Sequence, residues 1–78
     1  MKRHWEFSRH YAERALLRID SPKEFSRSLA NRLNNEVLQL VFECHLNGNV
    51  GRRLYHEGMR IGYTWDENKR AIVIQTVY

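Results

Sequence analysis

His10, Arg14 and Arg18 recur every four residues within Ser8–Ile19, and this spacing is the first sign of chemistry in the chain. At about 100° per residue, each step of four drifts only some 40° around a helix, so one imidazole and two guanidinium groups share an edge. An imidazole that titrates near neutral pH beside two permanent cations can hold a phosphate and move a proton. Tyr11, Ala12, Ala15, Leu16 and Ile19 occupy the neighbouring arc, which suits a core-facing stripe and predicts an amphipathic helix. A plain solvated basic edge has the same pattern.

The elements that must position this edge follow from the punctuation of the chain. Met1–Phe7 alternates aromatic and charged residues and reads as an extended lead-in that pairs with a sheet edge or packs under the first helix. Ser8 is the expected N-cap of helix one, which stops near Asp20. Ser21-Pro22-Lys23-Glu24 has the form of a capping box with proline at the first helical position. Phe25, Leu29, Ala30 and Leu33 supply the stripe of a second helix, and Asn34-Asn35 supplies its stop. Glu36–Leu46 fits two periods. Leu38, Leu40, Phe42, Cys44 and Leu46 alternate with more polar neighbours, which favours a strand. Val37, Leu40, Val41 and Cys44 also lie at helical spacing, with Asn47-Gly48 available as a C-cap. On the strand reading, Asn47-Gly48-Asn49 is a turn and Cys44 a core residue.

Arg52–His56 is a short strand candidate and Gly58 a turn. Met59–Trp65 is a longer strand with Met59, Ile61, Tyr63 and Trp65 on one face, and residues 66–70 form a loop. Ala71–Tyr78 is apolar on both faces and therefore central. The expected fold is one α+β domain spanning residues 1–78, with two N-terminal helices (8–35) packed on an antiparallel sheet of three or four strands (36–78).

The free face of such a sheet would present Arg60, Thr64 and Gln75. Arg53 and Tyr55, or Arg52 and His56, would join them according to register. Arginine forks beside tyrosine rings suit phosphate pairing and base stacking. Residues 1–35 hold eight Lys or Arg against four Asp or Glu, whereas residues 36–78 hold five of each, so the net charge of +4 resides in the first part. This asymmetry favours RNA or another nucleic acid as partner over an anionic membrane. No apolar run approaches a membrane span, and the single Cys44 allows no internal disulfide, so a cytoplasmic protein is expected. His4, His10, Cys44, His45 and His56 lack zinc-site spacing, and no glycine-rich phosphate loop occurs, so neither metal nor cofactor is expected. Trp5 and Trp65 read as packing anchors.

His10-Tyr-Ala-Glu-Arg14-Ala-Leu-Leu-Arg18-Ile-Asp-Ser21, then a helix, then strands ending in Ile74-Gln-Thr76-Val-Tyr78, resembles the barnase, colicin E5/D and RelE-like ribonuclease group of small bacterial and phage domains. The resemblance implies helices against a curved antiparallel sheet and a toxin-like cleavage of RNA without metal. Attack of a ribose 2′-hydroxyl on the adjacent phosphate would be served by His10 as base or acid, Arg14 as a phosphate-holding group, and Thr76 as a hydrogen-bond donor. Arg18, Arg52, Arg53, Tyr55 and Arg60 would bind the nucleic acid around them. The alternative is a non-catalytic binding or inhibitor protein that occupies nucleic acid or a nucleic-acid-binding partner protein, and an inhibitor or target protein is the other expected partner. A homodimer formed by Ala71–Tyr78 pairing across subunits is compatible with both.

Overall fold

A computed structural model describes residues 4–48 and 51–78. Its elements are β1 (Trp5–Phe7), α1 (Arg9–Arg18), α2 (Pro22–Leu46), β2 (Arg52–His56), β3 (Met59–Asp66) and β4 (Ala71–Val77). The strands form one sheet in the order β1-β4-β3-β2. The α+β expectation therefore holds in outline. Two details differ: β1 precedes the helices, and the sheet is mixed because β1 runs parallel to β4. The lead-in strand is joined to β4 at both ends, with the Ile72 N–H donating to the His4 carbonyl at 2.8 Å and the Ser8 N–H to the Ile74 carbonyl at 2.9 Å. Residues 1–3 of the lead-in and Asn49 of the expected turn lie outside the described residues.

The largest correction concerns Glu36–Leu46, which continues α2 to a length of 25 residues. The apparent period of two arises from two interleaved helical stripes. Leu40 and Cys44 face the core with Leu29 and Leu33, whereas Leu38, Phe42 and Leu46 lie on the opposite side and are 77%, 62% and 68% exposed. Asn34-Asn35 does not stop the helix, because asparagine costs well under about 1 kcal/mol in a helix interior and Asn34 is otherwise engaged. Its side-chain carbonyl accepts the Trp5 indole N–H at 2.8 Å, fastening α2 to β1. After the helices, the sheet thus resumes at Arg52 rather than near residue 36.

Both helices cover one face of the sheet. Trp5, Tyr11, Ala15, Leu29, Leu33, Ile61, Tyr63, Ile72, Ile74 and Val77 join every layer in one core. Ser8 caps α1 as expected, accepting the Tyr11 N–H at 3.0 Å. Ser21 occupies the cap of α2 with Pro22 following, but its hydroxyl makes no cap bond, so the capping box is not closed. The turn of the β2–β3 hairpin consists of Glu57 and Gly58, both at positive φ (47° and 80°), which is the primed geometry that matches strand twist. Between β3 and β4, Gly62 pairs with Thr76 and Tyr63 with Ile74, leaving Gln75 as the extra residue of a β-bulge.

A dimer paired through Ala71–Tyr78 would need an edge that β4 does not offer. β4 lies between β1 and β3. Past the end of β1, its open side is occupied by α1: Ser8 Oγ donates to the Gln75 carbonyl at 3.0 Å and Arg14 Nε to the Val77 carbonyl at 3.3 Å. Backbone acceptors that β1 is too short to reach are satisfied by the first turns of the helix that follows it.

Candidate nucleic-acid interface on the outer face of the sheet

Register decides which hairpin side chains face outwards. Arg52 pairs with Tyr63 and His56 with Met59, on the side covered by α2; Arg53 pairs with Gly62 and Tyr55 with Arg60, on the uncovered side. The Tyr78 ring lies across Gly62, where an added Cβ would stand 3.1 Å from Tyr78 Cε2 and 3.2 Å from Thr76 Cγ2. A glycine in the middle of a strand is the sequence sign of such a close approach. The Arg53 guanidinium stands 5.0 Å from the Tyr78 ring centre, and that of Arg60 stands 6.0 Å from it and 5.9 Å from the Tyr55 ring. Tyr78 was not singled out in the sequence; Gly62, opposite the last strand, was the available signal.

Three shallow hollows adjoin across this face. One is lined by Tyr55, Met59, Arg60 and Tyr78, the next by Arg53, Gly62, Gln75 and Tyr78, and the third by Ser8, His10, Val73, Gln75 and Thr76. Tyr78 is common to the first two and Gln75 to the last two, so the series leads from the hairpin to the start of α1. The bulge is what brings Gln75 and Thr76 together at the rim of the third hollow. Among the described residues, Arg53 and Arg60 form no ion pair with a carboxylate, and His10 makes no hydrogen bond.

The expected catalytic residues come partly together. His10 and Thr76 share the third hollow, and Arg14 is held beside it through Val77. Thr76 Oγ1 reaches the Val77 carbonyl only at 3.5 Å, which leaves its hydroxyl weakly committed. Arg18 diverges. It lines a separate hollow by the hairpin turn together with the acidic residues Asp20, Glu24 and Glu57. Arg52 also lines the second hollow, and its guanidinium acts on the buried Tyr63 hydroxyl, whose pKa is pushed up to about 12 by burial and by Glu43 and lowered in part by Arg52. The Tyr63 hydroxyl donates to Glu43 at 3.2 Å.

A second polar cluster is absent from the sequence reading. His56 Nε2 lies 2.9 Å from Ser28 Oγ, and Nδ1 lies 3.4 Å from the Arg32 guanidinium. Arginine only donates, so Nδ1 must be the acceptor and Nε2 carries the proton. Ser28 Oγ then accepts from His56 and donates to Glu57 at 2.5 Å. This direction of hydrogen bonding leaves His56 unable to deprotonate Ser28, so the group acts as a clamp rather than a nucleophile pair. Arg32 also donates to the Tyr55 carbonyl and to Glu36, tying α2 to the hairpin. Burial pushes the His56 pKa below its ordinary value; Arg32 adds to that and Glu57 and Glu36 oppose it.

No group of three or more His, Cys, Asp or Glu side chains among the described residues could hold a metal ion. No helix among them is long and apolar enough to cross a membrane. No protein-family model, curated protein or solved structure matches the chain.

Proposed function

We propose that the outer face of the sheet binds single-stranded nucleic acid, with Tyr78 and Tyr55 as stacking rings and Arg53 and Arg60 as phosphate partners. One observation carries this reading: the Tyr78 ring, laid on Gly62, is flanked by two arginines whose charges no carboxylate neutralises among the described residues. Base stacking on an aromatic side chain contributes about 1–3 kcal/mol, and each phosphate contact to a single strand adds about 0.7 to the salt slope. A uridine oligomer titrated by fluorescence anisotropy should bind more weakly as salt rises, and Tyr78→Ala should lower its affinity on the order of tenfold. Equal binding by wild type, Tyr78→Ala and Arg53→Ala would exclude this face.

The third hollow favours a second reading, in which the bound strand is cut. A phosphate next to Gln75 would come within the hollow that His10 and Thr76 line. His10 would take the proton from the attacking 2′-hydroxyl, the bond from phosphorus to the 5′-oxygen would break, and that oxygen would regain a proton from the imidazolium or from water. Arg14, whose Nε bonds the Val77 carbonyl beside this hollow, would balance the phosphoryl charge in place of Arg18. His10→Ala should abolish chelator-resistant cleavage while leaving anisotropy binding intact. Undiminished cleavage by a folded His10→Ala protein would remove the chemical step and leave the binding function standing.

A further inference from the structure

On the helical side of the molecule, α1 and α2 diverge around an open groove of about 520 Å³. Its floor is apolar, built from Phe7, Tyr11, Ala12, Ala15, Leu16 and Pro22. Phe7 stacks on Tyr11 with ring centres 4.6 Å apart and planes 12° apart, and the Tyr11 hydroxyl is held by Ser26 at 2.9 Å, so the floor is rigid and its one deep polar group already paired. Ala12 is exposed and Leu16 is 73% exposed. Both charged side chains lining the groove, Lys23 and Arg27, are cations on the α2 margin. On the exposed edge of α1, Arg9 and Glu13 stand at i and i+4 and offset one another's charge. Glu13, on the solvent side of Ala12, is the sole acid of α1.

We propose that this groove receives an amphipathic helix of another protein, one whose apolar stripe is bordered by Asp and Glu. Small residues at Ala12 and Ala15 let a second helix approach α1 closely, and an apolar stripe at positions i, i+3, i+4 and i+7 fits a trough walled by two helices. The cations on the α2 margin select the sign of the flanking charges and oppose a basic segment of the same shape. This site faces away from the outer side of the sheet, so occupation of the groove and binding of a nucleic acid strand are separable.

The test uses the full chain and a designed helical peptide with leucines at i, i+3, i+4 and i+7 and glutamates on its flanks. The peptide should shift the backbone amide resonances of Ala12, Ala15, Leu16 and Ser26. A counterpart with lysines in place of the glutamates should bind at least tenfold more weakly, and Lys23→Glu with Arg27→Glu should reverse that preference. Leu16→Glu, a change at an exposed position, should reduce binding of the acidic peptide without altering the melting temperature. Equal binding of the two peptides, or shifts confined to residues outside the groove, would overturn the proposal. So would tighter partition to vesicles of phosphatidylglycerol and phosphatidylcholine than to the acidic peptide, because the groove would then be a lipid surface.

Discussion

The β2–β3 hairpin carries the same residue types on both of its faces and uses them in opposite ways. Towards α2, Arg52 serves the Tyr63 hydroxyl, and His56 is held by Ser28 and Arg32 with the Phe25 ring edge against it at 5.3 Å. On the uncovered side, the guanidinium groups of Arg53 and Arg60 stand 5.0 to 6.0 Å from the ring centres of Tyr55 and Tyr78 and form no ion pair among the described residues. Arginine, histidine and tyrosine are structural where their hydrogen-bonding capacity is spent inside the protein, and available for a ligand where it is not. A shift of one residue in pairing would exchange the two roles.

The largest effect that separates the faces is expected at His56. His56→Ala removes a half-buried ring and leaves Arg32 without one acceptor, which should destabilise the fold by about 2–3 kcal/mol and lower the melting temperature by about 10 °C. Acid should act on the same face. Because the His56 pKa is lowered on folding, the unfolded chain binds the extra proton more readily, and stability should be full above the ordinary value of 6.5 and decline as pH falls below it. Thermal melts of wild type and His56→Ala across that range check this: the variant should lose the part of the pH dependence that the wild type shows there. A wild type equally stable on both sides of 6.5 would mean that the clamp does not titrate.

A smaller effect is expected at Gly62. The Cβ of Gly62→Ala would press on the Tyr78 ring and on Thr76, costing on the order of 1 kcal/mol. Affinity for the uridine oligomer should fall several-fold because the stacking ring is displaced. The smallest effects on stability are expected at Arg53→Ala and His10→Ala, within about 0.5 kcal/mol, since neither side chain is buried. A loss of 2 kcal/mol or more in either, measured by urea unfolding, would erase the distinction between the faces.

Much of this arrangement could be read in advance, for local reasons. The caps and turns of Ser8, Pro22 and Gly58, and the alternation along Met59–Trp65, are decided by neighbours in the chain. The association of His10 with Thr76 was implied only by the resemblance to small ribonucleases, and the bulge at Gln75 that brings Thr76 to the hollow has no local sign. Two things could not be read locally. Whether Glu36–Leu46 is helix or strand depends on which of its two apolar stripes finds a core, and Leu40 and Cys44 have one only because β2–β4 lie beneath them. The clamp at His56 joins residues 28 positions apart, and its partners Ser28 and Arg32 belong to a helix whose own pattern gives no sign of them.

The parallel pairing of β1 with β4 also governs how the chain can fold during synthesis. Ser8 and Gln75 are 67 positions apart yet hydrogen-bonded, and Trp5–Phe7 pairs with Ile72–Ile74. The opening strand therefore emerges from the ribosome long before its partner exists, and the entropy of closing that loop must be met before the contact gives any return. Until β4 has been made, β1 lacks the strand with which it pairs, so closure of the sheet belongs to the late steps of folding.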